Sequence, residues 1–199
     1  LTRHAPPGVK KVVKLAAIGG TGTRPGGWHL PGEQALQGSD LAWTILRPSS
    51  FASNALRWAA AIQHGDPVPN MTGAGTQGVV DPRDVAAVAV AALTSEKHNG
   101  QTYTLTGPDL LSVPGQVAQL AEELGRPIET VDVPADAARR RMLECGMDGS
   151  VVDTAVSGYE LVRGGGNAIL TDDVNAVLAR PAGGFRSWAR DHLDAFTGH

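Results

Sequence analysis

Residues 12–22, VVKLAAIGGTG, join a β-branched apolar run to three glycines, the local material from which a pyrophosphate cradle can be built. Such a cradle needs free N–H groups at a helix start and a third glycine where that helix packs on the strand. Counting from Gly20 and Gly22, the G-x-G-x-x-G pattern reaches Pro25; counting from Gly19 and Gly22, the looser G-x-x-G-x-x-G reaches the same proline. Gly26 and Gly27 follow where an amphipathic helix should begin. The segment is therefore read as a loop that follows a strand, not as a phosphate site.

Other chemistry-bearing residues have plainer readings. Asp81, Arg83 and Asp84 form a charged cluster, but acids at a helix start are favoured by capping and by the helix dipole. Arg47 ends an apolar strand and should meet a carboxylate, with Asp81 or Asp84 as the expected partner. Arg139, Arg140 and Arg141 lie between Asp136 and Glu144, which suits a solvated helix face. Histidines at 4, 29, 64, 98, 192 and 199 form no i, i+4 pair and no grouping with carboxylates of the metal-site kind, so no metal is expected. Cys145 is the single cysteine, which excludes an internal disulfide and a thiolate cage; it is expected to be an inert or partly buried thiol.

These residues need positioning elements. Residues 10–18 (KKVVKLAAI) predict a buried strand, residues 31–38 a short helix opened by Pro31, and residues 42–46 a second strand stopped by Arg47 and Pro48. Ser53 or Asn54 should cap a helix running to His64, with Gly65 ending it. Asp81 should cap a nearly all-Ala/Val helix over residues 85–93. Residues 102–105 predict a third strand, Ser112 a helix start, Gly125 its end, and residues 128–133 a half-exposed strand. Helices follow at 135–145, 151–162, 172–178 and 185–196. Strands alternating with helices predict an α/β fold with a largely parallel sheet, and ligands at the carboxyl ends of its strands, after Ile18 and Leu46.

The bulk composition excludes several classes. The chain has 199 residues, 42% hydrophobic and 19% charged, with a net charge of -3, the balance of a globular domain rather than a disordered tail or a basic nucleic-acid binder. Aromatics at 5% leave little for base stacking. No apolar run is long enough to span a bilayer. A cytoplasmic protein touching neither nucleic acid nor membrane is the expectation.

Taken in order, four blocks resemble one family. GVKKVVKLAAIGG (8–20) is similar to the fifth strand of NmrA-like proteins, which are atypical short-chain dehydrogenases/reductases. EQALQGSDLAWTILRPSSF (33–51), followed by Asn54, resembles the next helix and strand. VVDPRDVAAVAVAAL (79–93) and GQTYTLTGPDLLS (100–112) match the two blocks after that, and FRSWARDHLDAF (185–196) has a counterpart at the family's end. The resemblance implies part of a doubly wound, Rossmann-like sheet that lacks its N-terminal strands and the glycine loop they carry. Residues 1–110 would be the C-terminal half of the NAD(P)-binding domain, and residues 111–199 a smaller, mainly helical lobe on the substrate side. Ala16, Ala17 and Ile18, at the end of one strand, and Pro48, Ser49, Ser50 and Phe51, at the end of the next, would lie beside the cofactor, NADP or NAD, in the complete protein.

The resemblance also marks departures. Relatives with full catalytic machinery place a Tyr, a Lys and, in extended members, a Glu at four-residue steps; the Lys lowers the Tyr pKa and holds the ribose. Anchored on Glu33, those positions hold His29 and Pro25, so the Tyr-x-x-x-Lys pair is absent. His29 is the remaining candidate for catalysis, as a ribose partner or a general acid; a solvated loop histidine is the plainer alternative. The family implies an oxidoreductase with a small-molecule substrate, a quinone or small carbonyl acceptor, where hydride transfer asks mainly for a positioned ring and a stacked acceptor. A non-catalytic NAD(P)-dependent sensor that binds a protein partner is the second reading. A third is an inactive remnant, whose open sheet edge would invite self-association.

Overall fold

A computed structural model describes residues 8–19 and 27–198. Strand β1 (Lys11–Leu15) is shorter than the 10–18 run and half-buried where a buried strand was expected. Its position explains this: among the described residues it has one strand neighbour, so one edge stays open. A single 3-10 turn (Gly27–His29) leads into α1 (Leu30–Gln37), with Pro31 in the first turn where its missing N–H is harmless. Strand β2 (Ala42–Pro48) runs through Arg47 and Pro48 rather than stopping at Leu46, because the Pro48 carbonyl still accepts from the Ile18 N–H at 3.2 Å.

The next segment also departs from expectation. Ala52–Trp58 is a 3-10 helix, and only Ala59–His64 is α-helical (α2). Neither Ser53 nor Asn54 caps it; Asn54 Nδ2 donates instead to Ser50 Oγ at 3.3 Å, which ties the turn to the end of β2. Gly65 closes α2 in the left-handed region, φ 78°, where glycine carries no Cβ penalty. Strands β3 (Val68–Asn70) and β4 (Gln77–Gly78) precede α3 (Pro82–Thr94), whose N-cap Asp81 accepts from the Arg83 N–H at 2.8 Å. Then come β5 (Gln101–Leu105), β6 (Leu110–Leu111), α4 (Val113–Leu124) between Ser112 and Gly125, and β7 (Thr130–Asp132). Helices α5 (Ala135–Glu144), α6 (Gly149–Arg163), α7 (Asp173–Leu178), α8 (Phe185–Arg190) and α9 (Asp194–Thr197) complete the order.

The expected parallel sheet is present, in the order β1-β2-β5, with helices on both faces. Consecutive strand residues point to opposite faces. Val12 and Ile45 pack with Ala16 and Leu36 under α1, while Val13, Leu46 and Leu105 pack with Val85, Val88, Val174 and Val177 of α3 and α7. A third cluster joins Trp58, Ile62, Val117, Leu120, Phe185, Trp188 and Phe196. Smaller pairings, β3 with β7 and β4 with β6, brace the loops beyond the sheet's carboxyl end.

Two further expectations are corrected. Arg47 meets neither Asp81 nor Asp84; it pairs with Glu33 of α1, whose side chain is fully buried. Asp81 is taken by Arg83, and Asp84 by Arg180 and the Gly183 N–H. The helix expected over 185–196 is two helices. His192 Nδ1 lies 2.7 Å from the Trp188 carbonyl, the acceptor its own amide would use in an unbroken helix. That amide bonds Ala189 O instead, and the chain tightens into i→i−3 bonds before α9. Arg139 and Arg140 lie on an exposed face, as expected, paired with Asp153 and Asp136; Cys145 is exposed.

Candidate functional site

Two parallel strands that end side by side leave a crevice beyond their carboxyl ends, because the backbone there turns away in different directions. Here β1 and β2 end at Ala16 to Ile18 and Pro48 to Ser50. Ala16 N–H donates to Leu46 O at 2.8 Å, and Ser49 N–H to Leu105 O at 2.9 Å, so both turns are fixed to the sheet. Beyond them lies a cleft of about 320 Å³, within the size range of small-molecule sites.

The expected site residues divide cleanly. Ala17, Ile18, Pro48, Ser49 and Ser50 line the cleft. Ala16 does not; it is buried with Leu36 and Ile45 beneath α1. Phe51 also faces away, packing against the α3 cluster while its backbone bridges to Val80. His29 is outside the lining and next to Trp28, their ring centroids 5.5 Å apart. Burial, then the Lys14 charge, push its pKa below the ordinary histidine value, against a smaller pull from Glu33. Pro25 and most of the 19–27 loop lie outside the described residues.

Ser49 is the unusual member. Its hydroxyl is buried and has no hydrogen-bond partner among the described residues, a costly arrangement that native proteins keep rare. It sits at the point where the β2 end meets the cleft. Around it the walls are largely apolar and flat: Trp28 is exposed on one side and Trp58 is buried on another, with Tyr159 among the residues facing them.

The opposite wall comes from α6, through Ala155, Gly158, Tyr159, Leu161 and Val162. Its distance from the sheet is set by backbone. A Cβ on Gly75, in the turn after β3, would lie 2.1 Å from the Val162 carbonyl oxygen, so only glycine fits there. Polar groups of the lining are mostly committed: Asn167 Nδ2 donates to Gln77 Oε1 at 3.1 Å, and Asn54 to Ser50. Arg57 is the single charged residue among the described lining residues. Its Nε donates to the Asn54 carbonyl at 3.0 Å.

Trp28, Arg57, Trp58 and Tyr159 were not expected from the sequence. Trp58 and Arg57 belong to the segment read as an ordinary helix, and Tyr159 lies more than a hundred residues from the strand ends it faces. Nothing in local spacing marks any of them. Among the described residues, no three or more His, Cys, Asp or Glu side chains converge as a metal site would require, and no helix is long and apolar enough to cross a membrane.

No family model matches the chain. Over 164 residues it is 39% identical to a (4-alkanoyl-5-oxo-2,5-dihydrofuran-3-yl)methyl phosphate reductase of Streptomyces griseus, covering 82% of this chain and 58% of that protein. Over 192 residues it is 36% identical to an NAD(P)H azoreductase of Xenophilus azovorans, covering 95% of this chain and 67% of that protein. Among solved structures, the NADPH-dependent quinone oxidoreductase of Escherichia coli complexed with NADPH superposes with a TM-score of 0.81 at 19% identity, over 94% of this chain and 66% of that one. The chain thus spans between about half and two thirds of the length of these relatives.

Proposed function

The chain belongs to the NmrA-like family of NAD(P)-binding atypical short-chain dehydrogenases/reductases, and from that premise we propose that it forms the nicotinamide-facing and substrate-facing part of an NAD(P)H-dependent oxidoreductase. Its acceptor is a quinone or another small conjugated carbonyl compound. The observation that carries this reading is the cleft at the β1 and β2 ends, with the partnerless Ser49 hydroxyl inside it. A polar ligand atom at that point would relieve an uncompensated buried group. Bound NAD(P)H would supply the hydride.

The remaining roles follow from placement. Ala17, Ile18, Pro48, Ser49 and Ser50 hold the nicotinamide end; Ala16 and Phe51 support those turns from behind. His29, at the start of α1 and outside the cleft lining, is kept neutral near pH 7 by its depressed pKa, which supports a role as acceptor of a ribose hydrogen bond. Trp28, Trp58 and Tyr159 offer flat surfaces on which a conjugated acceptor can stack. In this scheme residues 1–110 serve the cofactor, and residues 111–199 close the substrate side through α6. By the family's arrangement the phosphate-binding loop lies ahead of the matched part, so the activity proposed is that of the complete protein. A cytoplasmic setting, where NAD(P)H is abundant and thiols stay reduced, suits it.

The relatives point to the acceptor class. The Streptomyces protein is named for a conjugated oxo-dihydrofuran phosphate, the Xenophilus protein for an azo compound, and the Escherichia coli protein for quinones. All three acceptors are unsaturated systems open to hydride. The test is NADPH and NADH oxidation by the full-length protein across a panel of quinones, enones and azo compounds. Turnover with at least one class is expected. Cofactor binding without turnover on any of them would transfer the case to the sensor reading.

A further inference from the structure

We propose that Arg57 anchors an anionic substituent on the acceptor, so that the substrate is a flat conjugated molecule bearing a carboxylate, phosphate or sulfonate. The inference rests on the reductase reading and deepens it. Arg57 is exposed on the 3-10 turn between β2 and α2 and lines the cleft, and no described Asp, Glu, Lys or His shares that lining. Its Nε is held by the Asn54 carbonyl, a bond within its own turn that fixes the guanidinium while leaving Nη1 and Nη2 without a described partner.

The contrast with the other arginines is informative. Arg47, Arg83, Arg139, Arg140, Arg180, Arg186 and Arg190 each meet a carboxylate. Arg57, like Arg126, Arg141 and Arg163, meets none among the described residues, but of these it alone lines the cleft, beside apolar walls that raise the worth of a charge-assisted bond. A planar fork of donors suits a carboxylate, phosphate or sulfonate in a two-point contact. The neighbouring Asn54 and Gln77 amides carry no charge to offset it. Among its described lining residues the cleft therefore presents one positive charge beside stacking surfaces, which is the complement of an aromatic or enone anion.

The test compares naphthoquinone with naphthoquinone sulfonate in the full-length protein, as wild type, Arg57→Gln and Arg57→Lys. The ratio of kcat/KM for the sulfonated over the neutral acceptor should fall about tenfold in Arg57→Gln, mainly through KM, and recover in part in Arg57→Lys. In the wild type that ratio should shrink as salt is raised. An unchanged ratio overturns the proposal. So does a rise in KM for NADPH without a change in the ratio, which would give the guanidinium to a cofactor phosphate. Failure to reduce either acceptor would sink the reductase reading instead. Titration with naphthalene sulfonate then decides the present point: binding weakened about tenfold by Arg57→Gln supports it, and equal binding in both proteins removes it.

Discussion

Arg47 on β2 grips Glu33 on α1 with both arms of its guanidinium, Nε to Oε1 at 3.3 Å and Nη2 to Oε2, while the Glu33 side chain is 1% exposed and that of Arg47 31%. The pair fastens the helix that follows the cleft-lining turn to the strand that forms the cleft floor. Its two members are not equivalent. Loss of Arg47 strands an ionised carboxylate away from water, whereas loss of the Glu33 charge leaves a guanidinium that can turn to solvent. Arg47→Met should therefore cost about 3 kcal/mol, and Glu33→Gln about 1 kcal/mol. Urea unfolding of both variants measures this, and equal costs would contradict the asymmetry.

Ser49→Ala separates structure from binding. Because the hydroxyl has no partner among the described residues, its removal should leave the apo protein equal or slightly more stable. The same change should weaken NADPH binding to the full-length protein by about fivefold, the worth of one neutral hydrogen bond. Apo destabilisation with unchanged NADPH affinity would assign Ser49 to the scaffold.

His98 should make stability depend on pH. It is buried, its Nδ1 lies 2.8 Å from the Tyr103 hydroxyl, and its Nε2 has no partner among the described residues. Burial chiefly, then Lys97 and Lys11, push its pKa below the ordinary 6.5. The unfolded chain thus takes up a proton at a pH where the folded chain does not. Its contribution is complete above about 6.5, is lost as pH falls from there toward the depressed folded value, and is constant below that value. Urea midpoints measured from pH 7.5 down to about pH 5 should decline more steeply for wild type than for His98→Gln. Parallel curves would refute this.

Gly75→Ala should disturb the acceptor side. The new methyl would meet backbone on α6, which has no rotamer with which to yield. A loss of about 1–3 kcal/mol is expected, with a higher KM for the acceptor. Thermal unfolding and acceptor kinetics on the full-length variant check the two together; an unchanged melting temperature would show that α6 shifts freely.

Legibility in the sequence followed the range of the forces involved. Apolar runs and hydrophobic periods marked β1, β2, β5, β7 and most helices, and Asp81, Ser112, Gly65 and Gly125 marked helix ends, because capping acts within a few residues; β3, β4 and β6, two or three residues each, are too short to carry a period. Ala17, Ile18 and residues 48–50 were reached through block order and strand ends. Arg47 was given the wrong carboxylate because the choice between Glu33 and Asp81 depends on which helix covers that face of the sheet. The break at residues 191–193 was missed because an imidazole competing for a carbonyl has no signature in periodicity. Arg57 and Tyr159 became cleft residues only once distant elements had packed.

The contact between Gly75 and the α6 backbone has a consequence for how this scaffold can change its substrate. The gape of the mouth is set by main chain touching main chain, so side-chain replacements along the far jaw reshape the space without springing it open. Gly158, which has open room where a Cβ would stand, is the natural place to narrow it, and Ala155 and Tyr159 can be exchanged independently of the strand tips opposite. On the proposed reading, selectivity for the acceptor would thereby be uncoupled from the grip on the hydride donor.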